Sequence, residues 1–347
     1  MVANQGKIEG LSLSNFTCFA DLDVSFSEGI NVIIGENGLG KTHLLKISLA
    51  LASAQFQGSF SSLSYPTLLF PKLPQTLLEG VQKSTNQDFF LNLFGITDKV
   101  LLKRNIKIDW NIQLSPLITE TQDLIFIPVN EMLSWYKGFI PAYENRESSI
   151  DYVYYLLAKK LAPLPLKGDK LKEQKLLIRE LENELGFEVV RDGDEFLIAF
   201  TKDQVHNTKL VANGINKLAQ LIYLIMNGSL TKDSIIFWDE PEAGLNPKYI
   251  VLVAKFLQTL AKAGCQIFVA THDYLLSHTL SLAAEYREVQ PETPAIRFHS
   301  LYKTQEGTQI ESAETLPEIQ HNSILDEYSR FYKIEEELFY QSMNVKG

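Results

Sequence analysis

The sequence predicts an α/β protein whose sheet is mostly parallel, with an antiparallel strand region at the N-terminus and an α/β insertion. Two patterns predict this fold. Apolar runs at 234–238 and 266–270 flank a helical stretch at 247–263, and a strand, helix, strand unit of this kind joins parallel strands. A second buried strand at 30–34 leads through a glycine-rich loop into an apolar helix at 42–54.

We expect residues 1–347 to form a single domain in three parts. The first part, 1–54, holds the N-terminal strands, whose apolar residues alternate with polar ones, and the glycine-rich loop. The second part, 55–205, is interpreted as a mixed insertion or helical lid. The third part, 206–347, holds the remaining motifs and ends in a hairpin and a helix.

Local signals predict further elements in the second and third parts. Leucine-rich stretches predict helices at 151–161 and 170–185, the second ending at Gly186. The tripeptide 192–194, Asp-Gly-Asp, predicts a hairpin turn between two apolar runs. Another hairpin turn is expected at Glu306-Gly307. The last predicted element is an amphipathic helix over 324–340.

Composition limits the classes of function. The chain has 347 residues, 45% of them hydrophobic, which is typical of a soluble globular protein. Its only cysteines are Cys18 and Cys265, so we expect no disulfide framework and a cytoplasmic location. No apolar stretch approaches the length that crosses a bilayer, so no membrane partner is expected.

The charge does not indicate a nucleic-acid partner. A formal net charge of -10 disfavours a protein coated with basic surface for gripping nucleic acid. Two lysine-rich stretches, 99–107 and 159–175, leave a local contact open. They are interpreted either as a solvated loop and a solvated helix face or as a DNA-binding strip.

The glycine-rich loop predicts a nucleotide-phosphate site. It matches the pattern G-x-x-x-x-G-K-[ST] after a strand and before a helix, a context that confirms the motif. We assign to nucleotide binding the eight residues of the loop and the one after it: Gly35, Glu36, Asn37, Gly38, Leu39, Gly40, Lys41, Thr42 and His43. Lys41 is expected to contact the β- and γ-phosphates, and the Thr42 hydroxyl to bind Mg²⁺.

Two carboxylates complete the predicted hydrolytic site. Asp239 and Glu240 follow the buried run 234–238, at the sheet edge where the phosphates must lie. Asp239 suits the coordination of Mg²⁺, whereas Glu240 suits the orientation and deprotonation of the attacking water. Because they follow a buried strand about two hundred residues after the phosphate loop, which is a Walker A motif, they are interpreted as a Walker B motif and predict ATP hydrolysis.

A histidine follows the neighbouring strand. His272 lies directly after the predicted strand 266–270, beside the strand that carries the two carboxylates. From that position its ring can hydrogen-bond the γ-phosphate and sense its loss. The alternative is an incidental loop histidine.

These motifs together resemble the ATP-binding-cassette ATPases. The resemblance is carried by the Walker A loop, by residues 239–247 with the sequence DEPEAGLNP and by residues 270–273 with the sequence ATHD. It is closer to the RecF, SMC and OLD branch than to transporters, and closest to stand-alone bacterial AAA family ATPases of about this length. Many relatives of that kind look like components of anti-phage defence or overcoming-lysogenisation systems.

The resemblance implies a signature loop that completes the site of a second subunit. The matching stretch is 211–217, in which Asn213 and Gly214 are assigned to nucleotide binding. Ala212 replaces the serine typical of the family, so Asn213 is the alternative phosphate contact. Asn130 is the candidate for the family's magnesium-reading glutamine, although a plain turn residue is the other interpretation. The resemblance therefore implies a homodimer with ATP between its subunits.

Two functional hypotheses remain open on the sequence, with a transporter cassette as a minor third. The first is a nucleotide-gated dimeric ATPase that controls a partner effector, a nuclease or a toxin, in phage defence. The second is a DNA-repair or DNA-clamping ATPase that acts directly on nucleic acid. Glu242 stands where transporters usually have Thr or Ser, which disfavours the third.

Overall fold

A computed structural model describes residues 6–57, 90–94, 100–104, 110–113, 123–145 and 150–345. The strands within these ranges are β1 (Gly10–Phe16), β2 (Phe19–Ser25), β3 (Ile30–Gly35), β4 (Phe90–Phe94), β5 (Val100–Arg104), β6 (Trp110–Gln113), β7 (Leu124–Ile127), β8 (Glu188–Asp192), β9 (Glu195–Thr201), β10 (Gln204–Asn207), β11 (Ile235–Asp239), β12 (Gln266–Ala270), β13 (Ile296–Lys303) and β14 (Thr308–Ala313). Eleven of them form one sheet in the order β6-β5-β4-β1-β2-β14-β13-β3-β12-β11-β7.

One half of this sheet is parallel. β3 lies between β12 and β13, and β11 lies between β12 and β7, with all four pairs parallel. The predicted crossover from β11 to β12 is thereby confirmed. Because parallel strands end at the same edge, the residues that follow β3, β7, β11 and β12 are brought together there.

The other half is antiparallel. β1 pairs antiparallel with β2 and β4, and β5 and β6 continue the sheet in the same sense. β13 and β14 form the hairpin predicted at Glu306-Gly307, and β14 meets β2 through the single parallel pair Thr308 and Phe19. The predicted fold class, a mostly parallel sheet with an N-terminal antiparallel region, is confirmed.

The helices of the described ranges are α1 (Lys41–Gln57), α2 (Phe139–Asn145), α3 (Tyr152–Leu161), α4 (Gly168–Leu185), α5 (Asn213–Met226), α6 (Pro247–Lys262), α7 (Tyr274–Glu285) and α8 (Ser323–Val345). Side-chain caps fix several of their starts. Asp151, Asn246 and Asp273 each accept a backbone N–H in the first turn of the helix that follows, which satisfies donors that the helix leaves unpaired. Within the described ranges, no helix combines the length and the apolar character that crossing a membrane requires.

Apolar side chains cover both faces of the parallel strands. Val32 and Ile34 belong to the core cluster that contains α5, α6 and α7, whereas Ile33 between them belongs to the cluster that contains α1. Alternating side chains of a strand point to opposite faces, so Val32, Ile33 and Ile34 are all apolar because both faces are covered.

A second, three-stranded antiparallel sheet, β10-β9-β8, follows α4. The predicted turn at 192–194 joins β8 and β9, with Gly193 at φ +58°, and α4 ends at Gly186 as predicted. Of the predicted insertion 55–205, the stretches 58–89, 95–99, 105–109, 114–122 and 146–149 lie outside the described residues, as do Lys99 and Lys107. The insertion also supplies β4 to β7 to the large sheet, so its boundaries stay a prediction.

Candidate functional site

The loop between β3 and α1 makes a turn that requires glycine. Gly35 has φ +141° and Gly40 has φ +97°, both in the left-handed region. A Cβ atom on Gly40 would lie 2.5 Å from the Cys18 sulfur and 2.8 Å from the Phe19 ring, and one on Gly35 would lie 2.5 Å from the Leu301 carbonyl oxygen. Conformation and space thus both exclude a side chain at these positions, in a type of loop whose backbone N–H groups bind anions.

Lys41 lies inside this loop. Its side chain is buried, and its Nζ atom donates to the carbonyl oxygens of Gly35 at 2.7 Å and Glu36 at 3.0 Å. Burial lowers the pKa of Lys41, whereas the nearby carboxylates of Glu240 and Asp239 act in the opposite direction. A cation held by two carbonyl oxygens and facing two carboxylates is suited to an incoming phosphate.

The remaining residues assigned to the loop differ in accessibility. Leu39 is buried, and its carbonyl oxygen accepts a hydrogen bond from the Cys18 thiol at 3.4 Å. His43 is exposed on the first turn of α1. The exposed residues of the loop itself are Glu36, Asn37 and Gly38.

Thr42 and Asp239 meet across the edge of the sheet. The Thr42 hydroxyl donates to Asp239 Oδ2 at 2.8 Å, although the two residues are 197 positions apart. Burial raises the pKa of Asp239, and the hydrogen bond from Thr42 opposes that shift. Buried oxygen donors of this kind fit Mg²⁺, which Thr42 and Asp239 would hold and which would neutralise charge on the phosphates of a nucleotide.

Glu240 and His272 form the adjacent pair. Glu240 has φ +46°, an uncommon conformation for a residue other than glycine, and its N–H donates to the Ala270 carbonyl oxygen at 2.9 Å. His272 Nδ1 lies 3.2 Å from Glu240 Oε1. Both side chains are partly exposed, 27% for Glu240 and 48% for His272, so a water molecule can reach them.

Glu242 holds the histidine in place. Its Oε1 atom accepts from the Thr271 hydroxyl at 2.7 Å and from the His272 N–H at 3.3 Å. Its Oε2 atom is buried and has no hydrogen-bond partner among the described residues. Burial raises the pKa of Glu242, and the hydrogen bond from Thr271 opposes the rise. In the sequence, Glu242 had been noted only because transporters usually have Thr or Ser at that position.

Lys217 is a site residue that the sequence analysis missed. It is buried on α5, and its Nζ atom donates to the Glu240 carbonyl oxygen at 2.8 Å. Burial lowers the pKa of Lys217 to about 8. The sequence did contain a signal for this residue, because Lys217 lies among apolar residues of a predicted helix. Buried lysines are rare unless they are paired, so such a position indicates a polar partner.

The first turn of α5 holds Asn213 and Gly214. Asn213 is exposed, and Ala212 before it provides no side-chain cap for the helix. Gly214 is buried, and a Cβ atom there would lie 2.5 Å from the Gly244 carbonyl oxygen. Among the described residues, no hydrogen bond joins Asn213 or Gly214 to the phosphate loop of the same chain, so their assignment to nucleotide binding stays a prediction.

Asn130 lies at the same edge of the sheet, three residues after β7. It lies beside Tyr154 of α3. Burial raises the pKa of Tyr154, Asn130 opposes that rise, and the Asp239 carboxylate adds to it. Because β7 pairs parallel with β11, Asn130 and Asp239 follow neighbouring strands. This position agrees with either interpretation of Asn130, as a reader of Mg²⁺ or as a turn residue.

Comparison with known proteins identifies a family and short local relatives. Residues 30–277 match the family described as "AAA domain, putative AbiEii toxin, Type IV TA system". The DNA replication and repair protein RecF of Halalkalibacterium halodurans is 48% identical over 48 residues, which are 14% of this chain and 13% of that protein. The RecF protein of Pediococcus pentosaceus is 51% identical over 45 residues, 13% of this chain and 12% of that protein. The matches therefore span about an eighth of these relatives.

The fold is similar to that of SMC heads. The structure of an SMC head bound to the C-winged helix domain of ScpA has a TM-score of 0.55 and 14% identity, covering 90% of this chain and 99% of that chain. The SMC head domain from Thermotoga maritima has a TM-score of 0.48 and 15% identity, covering 89% and 99%. At 14% identity the likeness to the first of these structures concerns the fold alone.

Proposed function

Because this chain belongs to the family described as "AAA domain, putative AbiEii toxin, Type IV TA system", we propose that it binds and hydrolyses ATP. It is a P-loop ATPase of ABC type in the RecF and SMC branch. We propose further that it acts as a nucleotide-gated homodimer that controls a partner effector, a nuclease or a toxin, in the cytoplasm and in defence against phage.

One observation supports ATP hydrolysis most directly. Residues from three distant parts of the sequence converge at one sheet edge, with Thr42 2.8 Å from Asp239 and His272 3.2 Å from Glu240. In the proposed reaction, water attacks the γ-phosphorus, its proton passes to Glu240, and ADP leaves. Lys41 would bind the phosphates, and His272 would hydrogen-bond the transferred group.

Two variants test this assignment. Lys41→Ala should abolish ATP binding in a calorimetric titration, because it removes the only loop cation. Glu240→Gln should bind ATP within threefold of wild type and release phosphate at least 100-fold more slowly. Glu292→Gln, an exposed carboxylate outside the site, is the matched control and should turn over normally. Normal turnover of Glu240→Gln would show that another group is the base.

The exposed Asn213 at the start of α5 supports the proposed dimer. Asn213 is accessible and, among the described residues, has no hydrogen bond to the phosphate loop of its own chain, which supports a contact with the nucleotide of a second subunit. Glu240→Gln with ATP and Mg²⁺ should double its mass in light scattering. Adding Asn213→Arg should restore the monomer while ATP binding persists. An unchanged mass in both variants would reject the ATP sandwich.

The effector part of the proposal is supported by the family description, which refers to a toxin and a toxin–antitoxin system. A neighbouring reading frame that encodes a nuclease or toxin, and whose product changes activity when ATP is hydrolysed, would support it. Loss of phage protection in cells carrying Glu240→Gln is the corresponding assay. Full protection by that variant would separate the ATPase from defence.

The alternative, a DNA-repair or DNA-clamping ATPase, is supported by the local RecF matches. The lysine-rich stretch 159–175 offers it little support, because Lys159, Lys160 and Lys172 pair with carboxylates at 3.3, 2.8 and 2.8 Å. Stimulation of ATP hydrolysis by DNA, with a steep salt dependence, would favour this alternative. A rate that duplex and single-stranded DNA leave unchanged would reject it.

A further inference from the structure

The C-terminal helix α8 carries an apolar face that no other described part of the chain covers. Every residue from 325 to 343 is exposed. At about 100° per residue, five large apolar side chains beyond residue 328 fall within an arc of about 140° on one side of the helix, and Ile334 and Tyr340 lie outside it. These five, each 58% to 62% exposed, are Phe331, Tyr332, Leu338, Phe339 and Met343. Exposed apolar surface of this extent marks an interaction site.

The helix is fixed at its base and free along the rest of its length. The Tyr328 ring stacks on Tyr274 of α7 with 4.4 Å between centroids, and Ile324 packs against the main core. The face beyond residue 328 is therefore presented by a formed and anchored helix. A preformed surface loses little conformational entropy when a partner binds.

Acidic charge lies in the middle of this face. Glu335 falls near the centre of the apolar arc, and its carboxylate has no ion pair or hydrogen bond within the described ranges. The helix carries five carboxylates and two basic side chains, of which Arg330 already bonds Glu327 at 2.9 Å. A negative helix of this kind is repelled by an anionic lipid surface.

The area and the charge also argue against a second copy as the occupant. At about 100 Å² of exposed surface for each large side chain, the five offer about 500 Å² per subunit, or about 1,000 Å² for two. Obligate homodimers bury about 2,000 Å² or more, so this face matches a transient contact instead. A two-fold axis through the centre of the face would in addition place two Glu335 carboxylates side by side.

We propose that α8 is the docking site for a different protein, and that the docking segment is an amphipathic helix with a basic side chain at the centre of its apolar face. The apolar side chains would supply the contact area, and the central cation would pair with Glu335. Only the purpose of this contact, linking the ATPase to its effector, rests on the proposed function. The binding itself is measured without nucleotide, so it can fail or succeed independently of ATP hydrolysis.

The test uses two synthetic 21-residue helical peptides with identical leucine faces, one with lysine and one with glutamate at the central positions. Fluorescence anisotropy should give micromolar binding of the lysine peptide and at least tenfold weaker binding of the glutamate peptide. Glu335→Lys should reverse this preference. The double variant Phe331→Ser, Leu338→Ser should bind neither peptide. The matched control Tyr286→Ser, Val289→Ser removes exposed apolar side chains elsewhere and should bind as wild type does.

Four outcomes would overturn the proposal. One is equal affinity for the two peptides in wild type, which would show that Glu335 contributes no specificity. Another is a wild-type dimer in light scattering that Phe331→Ser, Leu338→Ser converts to monomer, which would make a second copy the occupant. The third is co-sedimentation with phosphatidylcholine vesicles that the same variant loses. The fourth is protection of the Phe331, Tyr332 and Met343 side chains from hydroxyl-radical oxidation in the isolated monomer, which would mean that the chain covers this face itself.

Discussion

Acidic pH should destabilise this protein through His299, a fully buried residue of β13 beside the strand that carries the phosphate loop. Its Nε2 atom lies 3.2 Å from Asn31 Oδ1, and its Nδ1 atom lies 2.8 Å from the Ser312 hydroxyl. The Asn31 oxygen is an acceptor, because the amide nitrogen donates to the Ser27 carbonyl oxygen at 2.8 Å. His299 therefore donates from Nε2, and in the neutral ring its Nδ1 accepts from the Ser312 hydroxyl.

The size of the effect follows from the pKa of this residue. Burial, with a smaller contribution from the charge of Arg297, lowers the pKa of His299 from 6.5 to about 3. The unfolded chain thus binds one more proton than the folded chain between these values, so stability is complete above pH 6.5 and falls as the pH decreases towards 3. At about 1.4 kcal/mol per pKa unit, the loss between pH 7.5 and pH 5.5 is about 1.4 kcal/mol, and it reaches about 4 kcal/mol near pH 3.

The assay compares wild type with His299→Gln, which keeps a donor and an acceptor but does not titrate. The free energy of unfolding in urea, followed by tryptophan fluorescence, is measured at pH 7.5 and 5.5. The variant should be less stable at pH 7.5 by about 1–3 kcal/mol, because its amide cannot reproduce both hydrogen bonds. It should also lose about 1.4 kcal/mol less than wild type on acidification, and the contributions of other titrating groups cancel in that difference. Equal losses in the two proteins would refute the neutral, buried state of His299.

Three further predictions concern the site. Lys217→Met removes the hydrogen bond to the Glu240 carbonyl oxygen and should lower ATP turnover at least tenfold with little change in ATP affinity. An unchanged rate of phosphate release would mean that Lys217 does not position Glu240. Gly214→Ala places a methyl group 2.5 Å from the Gly244 carbonyl oxygen and should lower the free energy of unfolding in urea by about 1–3 kcal/mol. The neighbouring variant Asn213→Ala should lower it by less than about 0.5 kcal/mol, and equal losses would contradict the close packing. Glu242→Ala leaves the buried Thr271 hydroxyl without its acceptor and should lower the free energy of unfolding by about 1–3 kcal/mol, whereas Glu242→Gln keeps an acceptor oxygen and should retain most of the stability. Equal losses in the two variants would argue against this hydrogen bond.

Signals that act over short sequence distances were enough for most elements. The turn at Gly193, the end of α4 at Gly186 and the crossover from β11 to β12 depend on local conformation and on the period of apolar residues, and all three were predicted correctly. The last helix was predicted over 324–340 and extends over Ser323–Val345, because the apolar pattern does not mark where an exposed helix ends. Its amphipathic character was predicted, but its lack of an intramolecular partner became visible only in the structure.

The sequence by itself determined the phosphate loop of this protein, since glycines at fixed spacing, Lys41 and Thr42 between a strand and a helix are a purely local pattern. It also placed Asp239, Glu240 and His272 at the ends of strands. Only the tertiary structure decided which of these side chains touch, because contacts such as Thr42 to Asp239 join residues 197 positions apart. The same holds for Lys217 and Glu242, whose roles depend on burial beside Glu240 and His272. Burial and long-range contact are properties of the packed sheet and its helices, and no local pattern encodes them.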